Sequence, residues 1–244
     1  MALRAVADGV FAEVGPGAPV VLALHGWGRS RADWLGVLPA EGLVAVDLPG
    51  FGSSPVPAQA WGAHEYGVAL APVLDLFDAP PVVVGHSFGG RVTVAMAADG
   101  APVRGLVLAG VPLLRPPSPT PRGPFAYRFT RWAHRVGLVG DDRLEGARRR
   151  YGSADYRAAQ GVLRDILVRA VNESYRDELA RLGVPVRLVW GADDTAAPVE
   201  MAEEALGILR AAGVDASLDV HPGVGHDIHR HRPEAIRAAV GSLT

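Results

Sequence analysis

One serine in the chain stands where its hydroxyl could attack a carbonyl. Ser87 lies in Gly85-His86-Ser87-Phe88-Gly89, a G-x-S-x-G pattern, after the apolar PVVV of residues 81–84 and before GRVTVAMAA at 90–98. A sharp turn from strand into helix holds such a serine at a strained backbone angle, so the residues two before and two after it must be small. The same turn sets the hydroxyl at a helix N-terminus, where unpaired amides favour developing negative charge. A serine hydroxyl is a weak nucleophile and needs a base within reach, which an acid must orient. VRLVWGADD (186–194) offers Asp193 and Asp194 beyond an apolar run, and HPGVGHDIH (221–229) offers His226 beyond the next one, ASLDV. The chain order is then nucleophile, acid, base, one of the three orders in which such triads are built.

These residues need a frame that brings positions far apart in the chain to one edge. Short apolar runs bounded by Gly, Pro or Asp recur at PVVLALHG (19–26), LVAVDLPG (43–50), PVVVGHS (81–87), VRGLVLAG (103–110) and VPVRLVWG (184–191). They lack alternation, which predicts strands buried on both faces. Helix-length segments such as RADWLGVLPA, AHEYGVALAPVLDLF and GGRVTVAMAADG separate them. Repeated strand–helix–strand units predict an α/β fold, a doubly wound and mostly parallel sheet with helices on both faces. The rhythm breaks at the Pro-rich LLRPPSPTPRGP and resumes at Val184. Residues 113–182 are therefore expected to form a helical cap inserted in a core of residues 1–112 and 183–244, over the C-terminal strand ends where ligands bind in such sheets.

With these motifs in place, the chain resembles the α/β-hydrolase fold superfamily over all but the insertion. The resemblance implies an acid three residues after the glycine that ends its strand; that glycine is Gly191, which selects Asp194 over Asp193. It implies a base in a Gly-x-Gly-His turn, matched by Gly223-Val224-Gly225-His226. His25-Gly26-Trp27-Gly28 is similar to the family's HG motif, and this implies an oxyanion hole of the Trp27 and Phe88 backbone N–H groups. His25 and His86 are expected to brace loops, and His229 and His231 to be packing or solvated residues. HGWG and DLPGFGSS (47–54) look like those of pimeloyl-carrier methyl ester esterases, in which Asp47 and its glycines would shape a loop. The implied activity is cleavage of a carboxylic ester or thioester by a serine esterase through an acyl-enzyme. A carbon–carbon bond hydrolase, lyase or acyltransferase on the same triad, and more remotely a non-catalytic binding protein, are the alternatives. Trp27, Phe125, Phe129 and Trp132 are the expected substrate-binding side chains.

Composition narrows the rest. The 244 residues hold no cysteine, which excludes a thiolate nucleophile, disulfides and cysteine metal sites, and a net charge of −2 argues against a nucleic-acid partner. No apolar run reaches the roughly 20 residues of a membrane span, and the N-terminus lacks a signal peptide's apolar centre, so a cytoplasmic protein without a membrane partner is expected. The phosphate-loop lysine is missing because the chain has no lysine, and no dinucleotide fingerprint occurs, so no cofactor is expected. Four histidines fall within HPGVGHDIHRHR, but without an HExxH helix no metal is expected. All 24 basic residues are Arg, and residues 113–182 hold 14 of them against 8 acids. That excess could draw an anionic group or an acyl carrier's acidic face to the insertion.

Overall fold

The computed structural model describes residues 1–115, 140, 143 and 154–244. Eight strands run β1 (Ala2–Ala7), β2 (Val10–Val14), β3 (Val21–Leu24), β4 (Leu43–Asp47), β5 (Val82–His86), β6 (Gly105–Ala109), β7 (Val186–Gly191) and β8 (Ala216–His221). They form one sheet in the order β1-β2-β4-β3-β5-β6-β7-β8. Pairing is parallel from β4 through β8 and antiparallel at β1–β2 and β2–β4. The five apolar runs read from the sequence all become strands, and so does ASLDV. The hairpin of β1 and β2 was not anticipated: β1 is largely exposed and carries no continuous apolar signal.

The described helices are α1 (Ala63–Leu70), α2 (Phe88–Ala98), α3 (Ala154–Ala158), α4 (Val162–Ala170), α5 (Arg176–Arg181), α6 (Val199–Ala211), α7 (Ile228–His231) and α8 (Pro233–Gly241). RADWLGVLPA yields only a single 3₁₀ turn, Arg31–Trp34, started by the Ser30 hydroxyl accepting from the Ala32 amide. Alternate strand residues supply two separate cores, because successive side chains leave a strand on opposite faces. Leu22, Leu24, Val83, Leu106, Leu108 and Trp190 pack with α1, α2, α4, α5 and α6. Ala23, Ala45, Val82, Val84, Val107 and Val189 pack instead with Trp34, Ile228, Ile236 and Val240. Covering both faces explains why the central strands are apolar throughout.

Strand order matters for the site. The chain passes from β3 to β4 on one side and to β5 on the other, so a crevice opens at the C-terminal ends of β3 and β5, where open α/β sheets bind ligands. Residues 27, 87 and 110 follow β3, β5 and β6 along that edge, and the loops after β7 and β8 reach it as well.

Candidate active site

Ser87 forms the turn between β5 and α2 with φ 49° and ψ −113°, the only non-glycine residue at positive φ among those described. Such a conformation costs about 1–3 kcal/mol and persists only where its surroundings enforce it. They do so here. The Ser87 amide donates to Ala109 O at 3.1 Å, and the Gly89 amide donates to His25 O at 3.1 Å, tying the turn to β6 and to the end of β3. A Cβ on Gly85 would lie 2.5 Å from Gly90 Cα, and one on Gly89 would lie 2.4 Å from Leu24 O. Both glycines are there because backbone passes too close for a side chain.

His226 Nε2 lies 2.9 Å from Ser87 Oγ, and His226 Nδ1 lies 2.8 Å from Asp194 Oδ2. The carboxylate can only accept, so Nδ1 carries the proton and Nε2 is left to take one from the serine. Asp194 Oδ1 accepts from the Ala196 and Ala197 amides, each at 2.8 Å, and the side chain is fully buried. Asp193 makes no such contact: its amide donates to Val224 O at 2.9 Å and stitches the acid loop to the histidine loop. Gly191 belongs to the same seam, since a Cβ there would meet Val224 O at 2.2 Å.

Ser87, Phe88, Trp27 and His226 all border a cavity of about 310 Å³. Neither the Trp27 nor the Phe88 amide donates a hydrogen bond within the described residues, so both remain available beside the serine. The Phe88 ring has a separate task. It stacks edge-on against Trp27, with centroids 5.4 Å apart, and against Tyr66 at 5.1 Å, while Trp27 meets Phe51 at 4.9 Å. This aromatic cluster locks the two amide-bearing turns to each other. Further wall is supplied by Leu114, Leu167, Met201 and Arg91. Phe125, Phe129 and Trp132 lie outside the described residues.

The family model for the alpha/beta hydrolase family matches residues 20–239. This chain belongs to that family. It is 29% identical to a pimeloyl-[acyl-carrier protein] methyl ester esterase of Methylococcus capsulatus, over 92% of this chain and 95% of that one. It is also 29% identical to a 2-hydroxy-6-oxononadienedioate/2-hydroxy-6-oxononatrienedioate hydrolase of Cupriavidus pinatubonensis, over 88% and 82%. Among solved structures, a serine hydrolase involved in carbazole degradation superposes with a TM-score of 0.69 at 23% identity, covering 99% of this chain and 98% of that one.

Other polar residues of this alpha/beta hydrolase hold the frame. His25 Nδ1 donates to Gly26 O at 2.7 Å while Nε2 accepts from the Leu48 amide at 3.0 Å, and burial lowers its pKa. Asp47 gathers the DLPGFGSS loop by accepting from the Arg31 and Ser53 amides, each at 2.8 Å. Arg29, just past the HGWG turn, pairs with Asp33 at 3.1 Å and with Asp227 at 2.6 Å, which joins that turn to the neighbour of His226. His86 Nε2 donates to His226 O at 3.0 Å. Behind it, His229 is fully buried with its ring centroid 4.0 Å from that of His86. Burial lowers the pKa of both, that of His86 strongly. Asp33, His86 and His229 bring ligand-capable atoms within 4.8 Å of one another, an arrangement the sequence did not disclose.

Proposed function

We propose that the protein is a serine hydrolase that cleaves a carboxylic ester or thioester through an acyl-enzyme. The hydrogen-bonded series Ser87–His226–Asp194, opening on a cavity beside two unengaged amides, is the observation that carries this reading. His226 takes the proton from Ser87 Oγ as that oxygen attacks the carbonyl carbon, and Asp194 holds the imidazole in the required tautomer. Trp27 N–H and Phe88 N–H receive the oxyanion; such donors contribute about 3 kcal/mol each to barrier lowering. Collapse of the tetrahedral intermediate expels the alcohol or thiol, protonated by His226. Water then attacks the acyl-enzyme with His226 as base, releasing the acid and restoring the serine.

Reaction with a fluorophosphonate, followed by mapping of the modified residue, tests this directly. An adduct at Ser87, together with p-nitrophenyl ester turnover, is the expected result. An unlabelled Ser87 would refute it. Likeness to the dienedioate hydrolase favours a second reading, carbon–carbon cleavage on the same three residues. A substrate panel of vinylogous diketones beside simple esters separates the two. The Arg excess of residues 113–182 would draw an anionic carrier toward the site, and the Methylococcus relative is named as an esterase of a pimeloyl-[acyl-carrier protein] methyl ester. Activity on carrier-borne substrate should then fall as salt rises.

A further inference from the structure

Arg91 is the one charged side chain among the described residues that is both more than nine-tenths buried and part of the cavity wall. It stands one turn of α2 beyond Ser87, with its amide donating to Ser87 O at 3.3 Å. Two guanidinium nitrogens are engaged: Nε donates to Pro112 O at 2.9 Å, and Nη1 donates to Ala170 O. Both acceptors are neutral carbonyls. Among the described residues Nη2 makes no hydrogen bond, and it is not among the sealed polar atoms, so it opens to the cavity. No carboxylate among the described residues comes within ion-pair distance of the guanidinium.

A guanidinium keeps its charge even where burial lowers its pKa, as here, and a buried cation without a carboxylate is costly. Glu173, on the same wall, favours the charged guanidinium through space but does not pair with it. Its Oε1 accepts from Arg169 Nε at 3.2 Å, and its Oε2 accepts from Tyr175 Oη at 2.5 Å. Arg115 adds a second guanidinium, so among the described residues that line the cavity arginines outnumber carboxylates. The remaining surface, from Trp27, Leu114, Leu167 and Met201, is apolar and suits a short methylene chain.

Building on the serine-hydrolase reading, we propose that Arg91 Nη2 anchors a carboxylate at the far end of the acyl group, so that the preferred substrates are half-esters of short dicarboxylic acids. A monoanionic carboxylate matches one unengaged nitrogen bearing two N–H groups. Charge-assisted bonds in a water-poor site are strong enough to set specificity.

The test compares kcat/KM for monomethyl glutarate with that for its uncharged terminal amide. Wild type should favour the acid by about tenfold or more. Arg91→Gln should bring the ratio near one, and Arg91→Lys should fall between. A wild-type ratio near one, or the same ratio in Arg91→Gln, overturns the proposal. Because Arg91 also ties α2 to Pro112 and Ala170, a second measurement needs no arginine variant and no turnover. Glutarate, but not glutaramide, should raise the melting temperature of Ser87→Ala protein; equal responses overturn the proposal. Failure of fluorophosphonate to label Ser87 would instead remove the hydrolase reading and leave the glutarate result standing by itself.

Discussion

Two groups of histidine and aspartate meet at the backbone of residue 226, and they are built in opposite ways. On the cavity side, Ser87 Oγ, both ring nitrogens of His226 and both oxygens of Asp194 have partners. On the sealed side, Asp33 Oδ2, Trp34 Nε1, His86 Nδ1 and both ring nitrogens of His229 make no hydrogen bond among the described residues, and the nearest approach is His229 Nε2 to Asp33 Oδ2 at 3.5 Å. His86 joins the two, since its Nε2 proton is given to His226 O and its other nitrogen faces the sealed cluster. The contrast separates two uses of histidine. On the cavity side partners fix the tautomer of His226; on the sealed side burial lowers the pKa of His86 and His229, and the missing bonds cost stability.

The sharpest way to break this contrast is to remove the wired side. Ser87→Ala should lower kcat by about a millionfold while leaving the melting temperature close to wild type, measured by ester turnover and calorimetry. Asp194→Asn should retain the fold yet lose about 10⁴-fold in kcat, because an amide at that position no longer enforces the Nδ1–H tautomer. Equal, modest losses in both would mean that the hydrogen-bonded series is structural.

Next comes the link. His86→Phe leaves the His226 carbonyl without its donor, which should cost about 1–3 kcal/mol in chemical denaturation. A loss in kcat larger than that in KM would place His86 on the wired side of the division.

The smallest effect concerns acid. His25, His86 and His229 have pKa values lowered by burial, so the unfolded chain binds protons more readily than the native one below the ordinary histidine value near 6.5. Stability is therefore full above about pH 6.5 and falls as pH drops through that value. His229→Phe, which removes one such group, should reduce the slope of stability against pH by up to one proton, about 1.4 kcal/mol per pH unit. An unchanged slope would show that His229 accepts a proton in the native state.

Much of the frame was legible because its signals are local. Runs such as PVVV and LVLA announce strands buried on both faces, and the G-x-S-x-G turn announces its own geometry, since small residues are needed wherever the backbone crowds. Gly191 carried a comparable signal, a glycine at a strand end crossed by another loop, but only the position of Val224 O reveals what it avoids. The β1–β2 hairpin escaped notice because an exposed edge strand needs no apolar face. RADWLGVLPA looked long enough for a helix, yet after one turn the chain leaves for β4, with Trp34 already buried under the sheet.

The sequence by itself determined the fold class, the strained turn at Ser87 and the loops that carry Ser87, Asp194 and His226, all of which follow from neighbours within a few residues. Tertiary structure alone decided that Arg91 lines the cavity without a paired carboxylate among the described residues, and that three polar residues share a sealed space behind the histidine. Those relations join residues as much as 196 positions apart, Asp33 to His229. They depend on which strand ends the sheet order sets side by side, and no local pattern encodes that.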